Sequence, residues 1–154
     1  MRERLEEEVS RAERHDTQLS CLLVVIDNLE ELAREHGGEL REQTIDYLAA
    51  ALRRELRRFD RVGRVARAEG EDLLVILPGA DAPRGEIVAR RALERLRAIK
   101  VEVAGARQPL EISVALAAWR RDASAEDLLA HVCAAAPSNG NGNGAPAFER
   151  AGSA

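Results

Sequence analysis

Two apolar runs, Leu19 to Ile26 and Leu73 to Leu77, constrain this chain more than any other feature. Neither shows the apolar–polar alternation of a strand with one wet face. Each therefore reads as a strand buried on both faces, which requires helices above and below a common sheet. The first run leads directly into Asp27. The second follows the acidic, glycine-containing stretch Arg67-Ala-Glu-Gly-Glu-Asp72 and closes on Pro78-Gly79. Two strands that bring carboxylates to one sheet edge point to a site for a metal-bound nucleotide.

The segments between these runs supply the helices. Arg2 to His15 places Leu5, Val9 and Ala12 at helical spacing. Asn28 to His36 reads as a short helix stopped by Gly37-Gly38. Leu40 to Phe59 reads as a long amphipathic helix with Ile45, Leu48, Leu52, Leu56 and Phe59 as its inner stripe. Arg61 to Ala68 pairs with the Leu73 run as a hairpin whose tip is Glu69-Gly70-Glu71. A third long helix spans Arg84 to Ala98, with Ala89, Leu93 and Leu96 inward. Lys100 to Val103 is a short strand turned at Ala104-Gly105. Leu110 to Ala118 reads as a half-buried strand, and Ala125 to Ala135 as a last helix.

The resulting order is that of a ferredoxin-like α/β sandwich, an antiparallel-containing sheet covered by helices. In that topology the first strand lies antiparallel to the return strand of the hairpin. Asp27 then meets Glu71 and Asp72 at one edge. The folded domain is expected over residues 1–136. The run Asn139-Gly-Asn-Gly-Asn-Gly144 makes 137–154 a disordered tail by composition.

Composition excludes several classes. With 154 residues the chain forms one domain large enough for a real core. A net charge of −4 argues against nucleic acid or an anionic membrane as partner. Cys21 and Cys133 fit no metal spacing and read as buried free thiols of a reducing compartment. No apolar run spans a bilayer and the N-terminus is charged, so a soluble cytoplasmic protein is expected. Nothing precedes the first helix, so no sensory input domain is expected.

The pattern Ile26-Asp27-Asn28-Leu29, then Leu32, then Gly37, resembles the strand-one motif of the GGDEF domain. That family makes cyclic di-GMP from two GTP. Asp60-Arg-Val-Gly-Arg64 and Leu73-Leu-Val-Ile-Leu-Pro78 are similar to the flanks of its signature turn. Ile112 to Ala117 resembles its late strand, and Ser124 to Leu129 the start of its last helix. The likeness runs from about Leu5 to about Ala136 and implies a nucleotidyl-cyclase-like fold.

The departures cluster at the site. The resemblance puts Val25 where a Mg²⁺-holding carboxylate belongs, Glu30 where a phosphate lysine belongs, and Ala33 where a guanine-reading asparagine belongs. Glu42 stands for an aspartate that helps read guanine. The signature reads Glu69-Gly70-Glu71-Asp72-Leu73, without the first glycine. Phosphoryl transfer depends on positioned metal and cationic charge. The site therefore reads as a degenerate cyclase with no catalytic residues and no cofactor. Asp27, Glu71 and Asp72 are remnant metal candidates, and Mg²⁺ is implied only if the site is active. By its sequence alone the acidic tip reads as a solvated turn, and Asp27 as a helix N-cap.

Arg57-Arg58-Phe59-Asp60 contains the family's Arg-x-x-Asp, its inhibitory site for cyclic di-GMP. The resemblance thus implies Arg57 and Asp60 as a ligand site. Seven arginines between Arg53 and Arg67 make a local basic patch. The expected function is a degenerate GGDEF-like regulatory or binding module. It senses cyclic di-GMP or a guanine nucleotide, or acts through a protein partner, as a monomer or homodimer. The rival reading is an active diguanylate cyclase with a divergent site. There Glu71, Asp72 and the Ile26 carbonyl would hold the metal.

Overall fold

The computed structural model describes residues 1–68 and 70–136. The elements are α1 (Arg2–His15), β1 (Leu19–Ile26), α2 (Leu29–His36), α3 (Gly38–Glu55), β2 (Arg61–Arg67) and β3 (Gly70–Pro78). They continue with α4 (Ala82–Arg97), β4 (Lys100–Val103), β5 (Ala106–Pro109), β6 (Ile112–Ala118) and α5 (Ala125–Ala135). Four strands form one sheet in the order β2-β3-β1-β6, and β4-β5 form a separate small hairpin. β1 is antiparallel to both β3 and β6. This is the ferredoxin-like sandwich expected from the sequence.

All eight residues of β1 are buried. Their period-two alternation divides them between two cores. Leu22, Val24 and Ile26 join Ile45, Leu48, Leu52, Leu93 and Leu96 under α2, α3 and α4. Cys21, Leu23 and Val25 join Leu5, Val9, Leu128 and Val132 under α1 and α5. A buried Leu, Ile or Val side chain contributes roughly 1.5–3 kcal/mol, so shifting β1 by one residue would exchange the two sets and is strongly disfavoured.

Several boundaries differ from expectation. Helix α3 ends at Glu55, and Leu56 turns extended. The Asp60 carboxylate accepts the Arg57 backbone N–H at 2.8 Å, while the Asp60 N–H donates to the Arg57 carbonyl at 3.1 Å. That tight turn ends the helix before its apolar stripe runs out, and leaves Phe59 70% exposed rather than inward. Strand β6 is buried on both faces, because α5 covers the face that the alternation had assigned to solvent. α4 approaches β6 closely at Gly85, where an added Cβ would lie 2.7 Å from Leu116 Cδ1. Cys21 is buried, but Cys133 is only half-buried. No described helix is long and apolar enough to cross a membrane. Glu69 and the segment 137–154, including the expected tail, lie outside the described residues.

Candidate functional site

The β1–β3 ladder ends at Val24 opposite Leu73. Asp27, Glu71 and Asp72 therefore lie at the same end of that ladder, as the topology requires. Their side chains do not converge, however. β2 pairs Val65 with Asp72 and Ala66 with Glu71, so the two acids alternate to opposite faces.

Asp72 turns to the face covered by α1 and α5. It is buried and ion-paired with Arg67, which lies diagonally across the hairpin. The reading of the tip as a solvated turn is thus incorrect for Asp72. Asp27 accepts a hydrogen bond from the Ser113 hydroxyl at 2.7 Å. It does not cap α2; Asn28 holds that position. Burial pushes the Asp27 carboxyl above its ordinary range, with the Ser113 bond and the nearby Arg67 charge pulling it back.

Glu71 turns to the other face, 3.7 Å from Arg64. Arg64 also donates to Glu42 at 2.6 Å and to Asp46 at 2.7 Å on α3. Glu30 on α2 receives two hydrogen bonds from Arg41, at 2.6 and 3.1 Å. This bidentate pair sits against the hairpin tip. A Cβ on Gly70, whose φ is +137°, would lie 2.9 Å from Glu30 Oε2. Glu30, Glu42, Glu71 and Asp72 are each answered by an arginine of the same chain. Among the described residues no three Asp, Glu, His or Cys side chains are grouped so as to hold a metal ion. Val25 is buried in the core beneath α1 and α5.

The Arg-x-x-Asp segment closes on itself. Arg57 Nη2 donates to Asp60 Oδ1 at 3.2 Å and to the Pro78 carbonyl at 3.0 Å. The Asp60 side chain is almost wholly buried, while the Arg57 side chain is half exposed. The cleft beside them, about 330 Å³, is lined by Arg53, Arg57, Arg58 and Arg61. The arginine cluster is therefore not one solvated patch. Arg64 and Arg67 are committed to the hairpin, Arg53, Arg57, Arg58 and Arg61 flank this cleft, and Arg54 faces elsewhere.

Sequence reasoning named the acids but missed Arg41, Arg64, Arg67 and Ser113. Arg67 had a signal, since it and Asp72 are cross-strand neighbours once the hairpin tip is placed. Arg41 and Ser113 had none, because their partners come from separate elements.

The family described as diguanylate cyclase, GGDEF domain, matches residues 1–140. The chain belongs to the GGDEF domain family. It is 34% identical over 96 residues to diguanylate cyclase DgcP of Pseudomonas aeruginosa, covering 62% of this chain and 13% of that protein. Among solved structures, the active GGEEF domain of a Vibrio cholerae diguanylate cyclase superposes with a TM-score of 0.80 at 16% identity. That match covers 95% of this chain and 92% of the other. Diguanylate cyclase SiaD of Pseudomonas aeruginosa, solved with its activator SiaC, gives 0.78 at 24% identity over 86% of this chain and 50% of SiaD. The GGDEF domain of DgcB from Caulobacter crescentus, solved with cyclic di-GMP, gives 0.75 at 18% identity over 86% and 78%. At these identities the structural likeness establishes the GGDEF fold.

Proposed function

We propose that this GGDEF domain is a catalytically degenerate, cytoplasmic regulatory module that binds cyclic di-GMP at Arg57 and Asp60. The observation that carries the reading is the self-neutralised hairpin. Arg67 is paired with Asp72, Arg64 is drawn to Glu42, Asp46 and Glu71, and Arg41 is paired with Glu30. The residues present do not fit Mg²⁺. Asp72 already holds a guanidinium, Asp27 holds the Ser113 hydroxyl, and Val25 offers no oxygen. Glu30, at the phosphate-facing position, carries the wrong sign for a triphosphate. Each lost catalytic contact of this kind costs roughly 2–4 kcal/mol, so two together reduce turnover by several powers of ten.

Arg57 remains able to serve. Its guanidinium is half exposed and its planar fork suits a phosphate or a guanine edge. A ligand there exchanges its anionic oxygen for one arm of the Arg57–Asp60 pair. The DgcB complex shows that a GGDEF domain of this fold binds cyclic di-GMP.

Two measurements test this. Incubation with GTP and Mg²⁺ should yield no cyclic dinucleotide; accumulation of product would establish the active-cyclase alternative. Calorimetric titration with cyclic di-GMP should give heat that Arg57→Ala abolishes. Absence of heat in both proteins would remove cyclic di-GMP as the ligand of this site.

A further inference from the structure

A second basic hollow lies between α3, α4 and the β4–β5 hairpin, apart from the Arg-x-x-Asp cleft. It measures about 540 Å³, within the roughly 300–1,000 Å³ of small-molecule sites. Tyr47 and Arg54 line it from one stripe of α3, and Arg95 from α4. Lys100, Glu102 and Arg107 line it from the hairpin, where Glu102 is paired opposite Arg107. The lining thus sets four cations against one carboxylate, on a chain whose net charge is −4.

The cations are not consumed internally. Arg95 leans on Glu55 at 3.5 Å. Arg54, Lys100 and Arg107 have no ion pair among the described residues. Tyr47 stands 62% exposed beside them, one of three large hydrophobic side chains left out of the core among the described residues. Like charges held around one concavity repel each other, and that cost is relieved when a polyanion enters. An exposed ring at the rim adds a face on which a base stacks.

We propose that this hollow binds a nucleoside polyphosphate, with Arg54, Lys100 and Arg107 on the phosphates and Tyr47 against the base. The contrast with the signature hairpin supports it. There Arg64 and Arg67 are each spoken for by an acid, whereas here three cations stand open. The proposal does not rest on the reading of the Arg57 site.

ATP and inorganic tripolyphosphate are the probes, titrated calorimetrically into the full chain at low and moderate salt. Both should bind, more weakly as salt rises. Lys100→Ala with Arg107→Ala should weaken each by roughly tenfold or more. Tyr47→Leu should weaken ATP by roughly tenfold and leave tripolyphosphate nearly unchanged. Arg57→Ala should leave both intact. All substituted side chains are exposed, and circular dichroism confirms that the variants fold. Absence of heat with ATP, heat undiminished in the double variant, or heat abolished by Arg57→Ala overturns the site. An equal effect of Tyr47→Leu on both probes overturns the stacking role. A polyglutamate peptide that binds where ATP does not would replace the nucleotide with an acidic protein segment.

Discussion

The Arg67 guanidinium is ion-paired with the Asp72 carboxylate diagonally across the β2–β3 hairpin, with both side chains largely withdrawn from water. Arg67 also lies near enough to Asp27 for its charge to favour that carboxylate. A side-chain cation thus stands between acids gathered at one end of the β1–β3 ladder. Stability and the proposed loss of catalysis share this cause, because the charge that compensates Asp72 is covalently part of the fold.

Arg67→Ala leaves Asp72 buried without that cation. Removing one member of a buried pair costs about 3–5 kcal/mol. Urea denaturation should show a loss near the lower end, because the tip is close to solvent. Adding Asp72→Asn should recover part of it, since an amide is cheaper to bury than an unpaired carboxylate. A double variant no more stable than Arg67→Ala would remove the pair from this account.

Asp27 sets a pH dependence of opposite sign to the usual carboxylate. Burial raises its folded-state pKa, so the folded protein binds the proton more tightly than the unfolded chain. Its contribution to stability is therefore present at low pH. It is lost as pH rises from the unfolded value, about 3.9, through the raised folded value. Asp27→Asn should flatten the stability profile in that window relative to wild type. Parallel profiles for the two proteins would contradict the assignment.

Gly85 marks a close approach of α4 to the sheet. A Cβ there would meet Leu116 Cδ1 at 2.7 Å, and Leu116 is fully buried. Gly85→Val should cost about 2 kcal/mol from overpacking. Gly85→Ala should lose less, because about 1 kcal/mol of helix propensity offsets the contact. Thermal unfolding of the pair would show the ordering, and equal losses would point away from a steric origin.

Cys21 lies in the core beneath α1 and α5, and burial pushes its thiol pKa well above the usual range. Alkylation of native protein near pH 8 should modify the half-buried Cys133 and spare Cys21 until the protein unfolds. Mass spectrometry after brief labelling reads this directly. Rapid native labelling at Cys21 would mean that the α1 face opens.

The sheet was legible because it rests on local periodicity. β1 and β3 bury both faces, and their alternate residues sort into two cores whatever covers them. Phe59 shows where periodicity misleads. Its spacing continues the α3 stripe, yet Asp60 captures the Arg57 N–H and ends the helix earlier. β6 misled for a related reason, since Ala115 and Ala117 are small enough to read as a wet face but lie beneath α5.

The amino-acid order alone determined a two-faced sheet, the helices over it, and the side chains of Val25, Glu30 and Ala33 at the positions where the family resemblance implies a cyclase's usual groups. Only the tertiary structure decided what the remaining acids do. Arg41 meets Glu30 across the α2–α3 bend, Arg64 meets Glu42 from a strand to a helix, and Ser113 meets Asp27 from β6 to the end of β1. Such pairings depend on strand register and on how helices seat upon a sheet. Those are set by the packing of the whole core, and no short stretch of sequence encodes them.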